Sequence, residues 1–165
     1  MTIPMKRILF LLAALLLTLS AAAQNGKSIY QKYSDAENVA AVYISPAMFR
    51  LIGRIPDVET GDGKVNLSPV IRSLSGMYII NSENAAINEN LRNEAERFIK
   101  SGKYELLMEA KDSGETVRMY TVGSEKTIEG FVMLAAETDE VTFICLGGQM
   151  PRKEFEELLA KEMAK

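Results

Sequence analysis

The order of apolar and polar residues divides this chain into segments that alternate between two periods. After a polar lead-in at Gln24-Asn25-Gly26, the spacing of Ile29, Tyr30 and Tyr33 predicts a helix over 27–36. Val39-Ala40-Ala41-Val42-Tyr43-Ile44 is an unbroken apolar run and predicts a buried strand. Ser45-Pro46 then marks a helix start. Serine caps the exposed amides, and proline suits the first turn, where no donor is needed. Met48, Phe49, Leu51 and Ile52 supply the apolar side of that helix, and Ser68-Pro69 repeats the device ahead of Val70, Ile71 and Leu74. Residues 54–64 between the two are rich in turn formers and predict a surface loop. Residues 76–81 read as the second strand. Residues 82–101 carry the strongest helical period, with Ile87, Leu91, Ala95, Phe98 and Ile99 on one face and most charges off it. Gly102 is expected to end this helix in the left-handed conformation.

The next segments read as a four-stranded meander. Residues 104–111 alternate, so Tyr104, Leu106, Met108 and Ala110 are expected to share a face. Asp112-Ser113-Gly114 is a hairpin loop, 116–122 returns, 128–137 is a long strand, and 141–146 is the last, which Gly147-Gly148 is expected to break. Pro151 opens a final helix with Phe155, Leu158, Leu159 and Met163 turned inward. Short turns make neighbouring strands antiparallel, and the helices need one common apolar surface. The expectation is an α+β fold, a two-layer sandwich with a mostly antiparallel sheet and its helices mainly on one face. Residues 24–165 are expected to form a single domain, without repeats or a low-complexity linker.

The beginning of the chain changes the picture of where this domain works. Lys6-Arg7 precede an apolar run of 12 residues, Ile8 to Leu19, and small residues follow at Ala21 and Ala23. That is the pattern of a signal peptide over 1–23, cleaved between Ala23 and Gln24. The run is shorter than the roughly 20 residues that span a bilayer, and no membrane span is expected after removal. Lys6 and Arg7 are 2 of the 19 basic residues; without them 17 face 22 acidic ones, a net charge near −5. Mild acidity argues against nucleic acid as a partner. The single cysteine, Cys145, excludes an internal disulfide. The expected location is the periplasm, with secretion or outer-membrane association as the other destinations.

Three stretches carry a likeness. Tyr33-Ser34-Asp35-Ala36-Glu37-Asn38-Val39-Ala40-Ala41-Val42-Tyr43-Ile44-Ser45, then Tyr104 to Asp112, then Ile144-Cys145-Leu146-Gly147-Gly148 before an amphipathic helix, resemble domain of unknown function 4252, an exported family of Bacteroidota. The resemblance implies an envelope location and a single domain, and brings no activity with it. Some relatives look like lipoproteins, whereas Gln24 stands here where a lipid-bearing cysteine would be needed.

The chemistry is defined mainly by what is missing. There is no histidine, which removes Ser-His-Asp and Cys-His catalysis and most zinc, copper and iron sites. No cysteine pair and no phosphate-binding glycine loop exist, so no catalytic residue and no cofactor is assigned. Cys145, between Ile144 and Leu146, reads as a small buried hydrophobe. Asp57, Glu59 and Asp62 are the residues a calcium ion would use, but Gly61 breaks the ligand register of a calcium loop, and a solvated acidic loop accounts for them without a metal. Glu105 and Glu109, four apart on a strand, are the carboxylate pair a hydrolase would use. Gly147-Gly148 ahead of a helix would offer amides to an anion.

The reading is a non-catalytic interaction module of the cell envelope whose partner is an envelope protein or a small ligand. A histidine-free carboxylate hydrolase and a calcium-stabilised structural protein are the rivals. An unprotected sheet edge or exposed apolar patch favours the first, a deep pocket with two convergent acids the second. The oligomeric state is left open.

Overall fold

The computed structural model describes residues 26–52 and 68–163. The segment 1–23, the Ala23–Gln24 junction and the acidic loop with Asp57, Glu59 and Asp62 lie outside the described residues. In chain order the elements are α1 (Gly26–Tyr33), β1 (Val39–Ile44), α2 (Pro46–Ile52), α3 (Ser68–Arg72), β2 (Leu74–Ser82), α4 (Ala85–Ser101), β3 (Glu105–Asp112), β4 (Glu115–Gly123), β5 (Thr127–Ala136), β6 (Val141–Pro151) and α5 (Arg152–Met163). The six strands make one antiparallel sheet in the order β1-β2-β6-β5-β4-β3. The fold class is α+β, as the pattern predicted.

One layer of helices covers one face. Ile29 and Tyr33 of α1 and Leu91, Ala95, Phe98 and Ile99 of α4 pack on Ile80, Val132, Leu134, Val141, Phe143 and Cys145. This is the two-layer core that the periodicity of 82–101 anticipates. The other face carries a second, smaller cluster. Phe49 of α2, Val70 of α3 and Phe155 of α5 gather with Leu74, Ile128 and Met150, and Ile44, Met77, Phe131 and Leu146 pack against them. Strand alternation places the clusters on opposite faces. Val132 pairs with Cys145 in the first, and the adjacent pair Phe131–Leu146 borders the second.

The second cover reaches only one end of its face. Two residues further along each strand, Val42, Ile79, Ile144, Met133, Met119 and Met108 stand side by side across all six strands. Of these, Val42 is exposed and the others are half-buried.

Several local features depart from the sequence pattern for identifiable reasons. Ser82 completes β2, and Asn84 caps α4 by accepting from the Ala86 amide at 3.0 Å, so the helix starts three residues later than expected. Gly102 is right-handed, φ −77°; the left-handed residue is Lys103, φ 56°. Glycine is still needed at 102, because a Cβ there would lie 2.7 Å from the Tyr104 ring. Gly147 and Gly148 do not break the last strand. β6 runs on to Pro151, and a Cβ on Gly148 would meet the Ser73 carbonyl at 2.5 Å. They are glycines so that the chain before β2 can approach β6 closely. In the β3–β4 hairpin both turn residues, Ser113 and Gly114, take positive φ, 44° and 99°, as a tight two-residue turn requires.

Candidate interaction surface

The two outer strands of the sheet are built differently. β1 consists of Val39, Ala40, Ala41, Val42, Tyr43 and Ile44, with no charge and no proline. It pairs with β2 at six consecutive positions, Val39–Ser82 to Ile44–Met77, without a bulge. Its composition predicts a strand covered on both faces, yet none of its residues is fully buried. The physical reason is its place in the sheet: β1 is terminal, so its outer row of amides and carbonyls has no partner strand among the described residues. Val42 and Tyr43 are each 47% exposed, on opposite faces. Tyr43 stacks on Tyr78 with ring centroids 4.9 Å apart, and Tyr30 leans on Tyr78 at 5.6 Å. These contacts hold the Tyr43 ring against its own sheet.

The chain turns from β1 straight into α2. Ser45 Oγ accepts from the Met48 amide at 3.2 Å, the N-cap expected from Ser45-Pro46. Phe49 goes down into the core, while Met48 and Leu51 stay exposed, Leu51 at 60%. Four of the six large exposed apolar residues of the described chain, Val42, Tyr43, Met48 and Leu51, therefore fall within ten positions at this edge.

At the opposite edge, β3 carries Glu105, Glu109, Lys111 and Asp112. Arg118 Nε donates to Glu109 Oε2 at 2.6 Å, Lys111 Nζ reaches Glu109 Oε1 at 2.8 Å, and Arg118 also approaches Glu96 of α4 at 3.6 Å. The hydrogen bonds from Lys111 and Arg118 hold the Glu109 carboxyl below the ordinary carboxylate range. A bulge between Leu106 and Met108 interrupts the register with β4. It also reverses an expected facing. Glu105 pairs with Thr121 and Glu109 with Arg118, three apart on an unbroken stretch of β4, so the two carboxylates lie on opposite faces. Tyr104 stays with the α4 side, packed against the larger cluster, and Met108 turns to the other. The pair that a hydrolase would need is not assembled.

The remaining candidate chemistry is equally local. Glu94 is a buried carboxylate, 7% exposed, accepting from Lys32 Nζ at 2.6 Å and from the Tyr33 hydroxyl at 2.7 Å. Desolvation pushes its carboxyl up, but the bonds from Lys32 and Tyr33 outweigh this and it titrates below its ordinary value. The site fastens α1 to α4. Cys145 is buried in the larger cluster, and desolvation pushes its thiol up to about 12. A Cβ on Gly26 would lie 2.4 Å from its sulfur, so α1 is seated directly on it.

Gly147 and Gly148 lie within a strand, and the amides that follow are used: Gln149 donates to the Ser73 carbonyl and Arg152 to that of Lys126, each at 3.0 Å. They present no anion site. A shallow cleft of about 590 Å³ at the turn end of the sheet is lined by Glu83, Asp112, Glu115, Glu137, Asp139 and Glu140. A smaller, apolar hollow of about 260 Å³ lies between Leu107, Met108, Met119 and Phe155. Among the described residues no three of His, Cys, Asp and Glu are placed to share a metal ion. The sequence signal that distinguishes this edge is the lack of charge in residues 39–44; the same signal also describes a central strand.

Together these features define a class: an antiparallel α+β sheet domain with one edge guarded by charge and the other unpaired among the described residues. The chain belongs to the family described as Domain of unknown function (DUF4252), whose sequence model matches residues 33–158. The match spans the elements from the end of α1 into α5. No curated protein matches the chain, and no solved structure does.

Proposed function

We propose that this chain is an exported, non-catalytic interaction module of the cell envelope that docks a protein partner at its β1 edge. One observation carries the reading: an uncharged, unbulged outer strand beside exposed Met48 and Leu51, on a sheet whose other outer strand is guarded by four charges and a bulge. Natural sheets blunt their edges because an unpaired row of amides and carbonyls is a template for another strand. An edge left open in a domain that guards its other edge is an edge kept for use. Adding a strand to such an edge satisfies the main-chain groups, while alternate side chains select the partner. The compartment rests on the Lys6-Arg7 start, the apolar run and the Ala21-x-Ala23 pattern.

The carboxylate-hydrolase reading draws no support from the two carboxylates whose titration the fold shifts. Glu94 and Glu109 both move down, within ion pairs, whereas a general acid needs a carboxyl held up.

A photo-crosslinking residue placed at Val42 in the native envelope tests the reading, with the same residue at Leu106 on the guarded edge as control. A discrete protein adduct from position 42 and none from 106 is the expected result. Equal yields from both positions, or nothing from position 42, would refute it.

A further inference from the structure

We infer that the partner at the β1 edge is a second copy of this chain, joined antiparallel about a two-fold axis through Val42; the inference rests on the interaction reading above. An antiparallel seam sets side chains that point to the same face directly opposite one another. Ala40, Val42 and Ile44 point to one face of β1, and Ala41 and Tyr43 to the other. With the axis at Val42, Val42 meets Val42 of the second copy, Ala41 meets Tyr43, and Ala40 meets Ile44. Each bulky side chain is thus set against an alanine or against a valine of its own size. An axis one residue earlier would oppose Val39 to Tyr43, two large side chains. The segment is therefore complementary to itself in one register, which is what an isologous contact requires.

Charge and closure support the same occupant. Reversal of direction brings the turn that precedes the strand, with Asp35 and Glu37 both exposed, toward the second copy's α2, which carries exposed Arg50. The seam also uses both open edges at once. The outer strands of the resulting twelve-stranded sheet are the two β3 strands, each with its charges and its bulge. Assembly stops at two, because a guarded edge does not template a further strand. Head-to-tail pairing of β1 onto β3 would instead run on without closing.

Sedimentation equilibrium of the purified protein over a range of concentrations tests this. The wild type is expected to approach twice the monomer mass, Val42→Lys to remain at the monomer mass, and Leu106→Lys to match the wild type. A wild type that stays monomeric throughout, or a Val42→Lys variant as dimeric as the wild type, overturns the inference. Should Val42→Lys lose its fold by circular dichroism, Val42→Cys and Leu106→Cys treated with a short bis-maleimide decide the matter. A covalent dimer from position 42 alone supports the seam, and its absence overturns it. An envelope adduct at position 42 that contains a different protein overturns the second copy and leaves the interaction reading standing; no adduct there ends both.

Discussion

β1 and β3 end the same sheet, and each pairs with a single neighbour, but they are treated in opposite ways. β3 has Glu109 locked between Lys111 and Arg118, Arg118 tied on to Glu96, and a bulge that spoils the register a foreign strand would need. β1 has six apolar residues in unbroken register, and the exposed residues of α2 beside it extend the apolar surface. Both strands do pair with their neighbours, β1 with β2 and β3 with β4, so the difference is not about joining the sheet. It is about what can be added to it. A strand's own residues decide whether it pairs; its topological position decides whether that capacity is spent inside the molecule or left facing outward.

The comparison can be broken or sharpened by mutation, beginning with what the two edges share. Phe143 is fully buried on β6 and meets Phe98 edge-on at 6.2 Å. Phe143→Ala is expected to cost about 3–5 kcal/mol, read by urea denaturation, and to abolish the distinction by loosening both halves of the sheet. Glu94→Gln weakens the tie from α1 to α4 by about 1.5–3 kcal/mol, the usual worth of a hydrogen bond to a charged group.

The acid dependence of that tie has a definite sign. The folded-state carboxyl of Glu94 titrates below its unfolded value. The unfolded chain therefore takes up the proton first as pH falls, and the stabilisation present above the unfolded value is lost as pH drops through the folded one. Thermal melts in mild acid should fall for the wild type and change less for Glu94→Gln. A parallel decline would show that Glu94 is not responsible.

Smaller still in stability, yet most direct for the edges, is the removal of the β3 guard. Glu109→Val with Lys111→Val is expected to shift the unfolding midpoint little while making the protein associate through β3 in light scattering. If association is unchanged, charge is not what protects that edge. Val42→Thr, which keeps shape and β propensity, should leave stability within about 0.5 kcal/mol, as exposed substitutions do.

Much of the architecture could be read from periodicity. The helical stripe of Leu91, Ala95, Phe98 and Ile99 does lie on the core, the Ser45-Pro46 cap does start α2, and the hairpin at Ser113-Gly114 turns where turn chemistry places it. What escaped depends on partners distant in sequence. The bulge at Leu107 has no residue signature of its own; it appears only in the pairing with β4, and it sends Glu105 and Glu109 to opposite faces. Gly147 and Gly148 look like a strand terminator until Ser73 and Leu74 are brought beside them. The open edge is the clearest case. Residues 39–44 read as an interior strand because an apolar run is what an interior strand contains, and nothing local records that β2 will have its other side taken by β6. The surface proposed to function was thus visible as a segment but not as an edge.

The order β1-β2-β6-β5-β4-β3 has one further consequence. The last strand made is the one that joins the first two to the middle three, since β6 alone pairs with both β2 and β5. A nascent chain that stops short of Val141 holds two fragments of sheet with no shared hydrogen-bond ladder, and the slow closure of long-range strand contacts cannot begin. The six-stranded sheet is therefore complete only once β6 is in place, and the antiparallel ladders that hold its two parts together are the last to close.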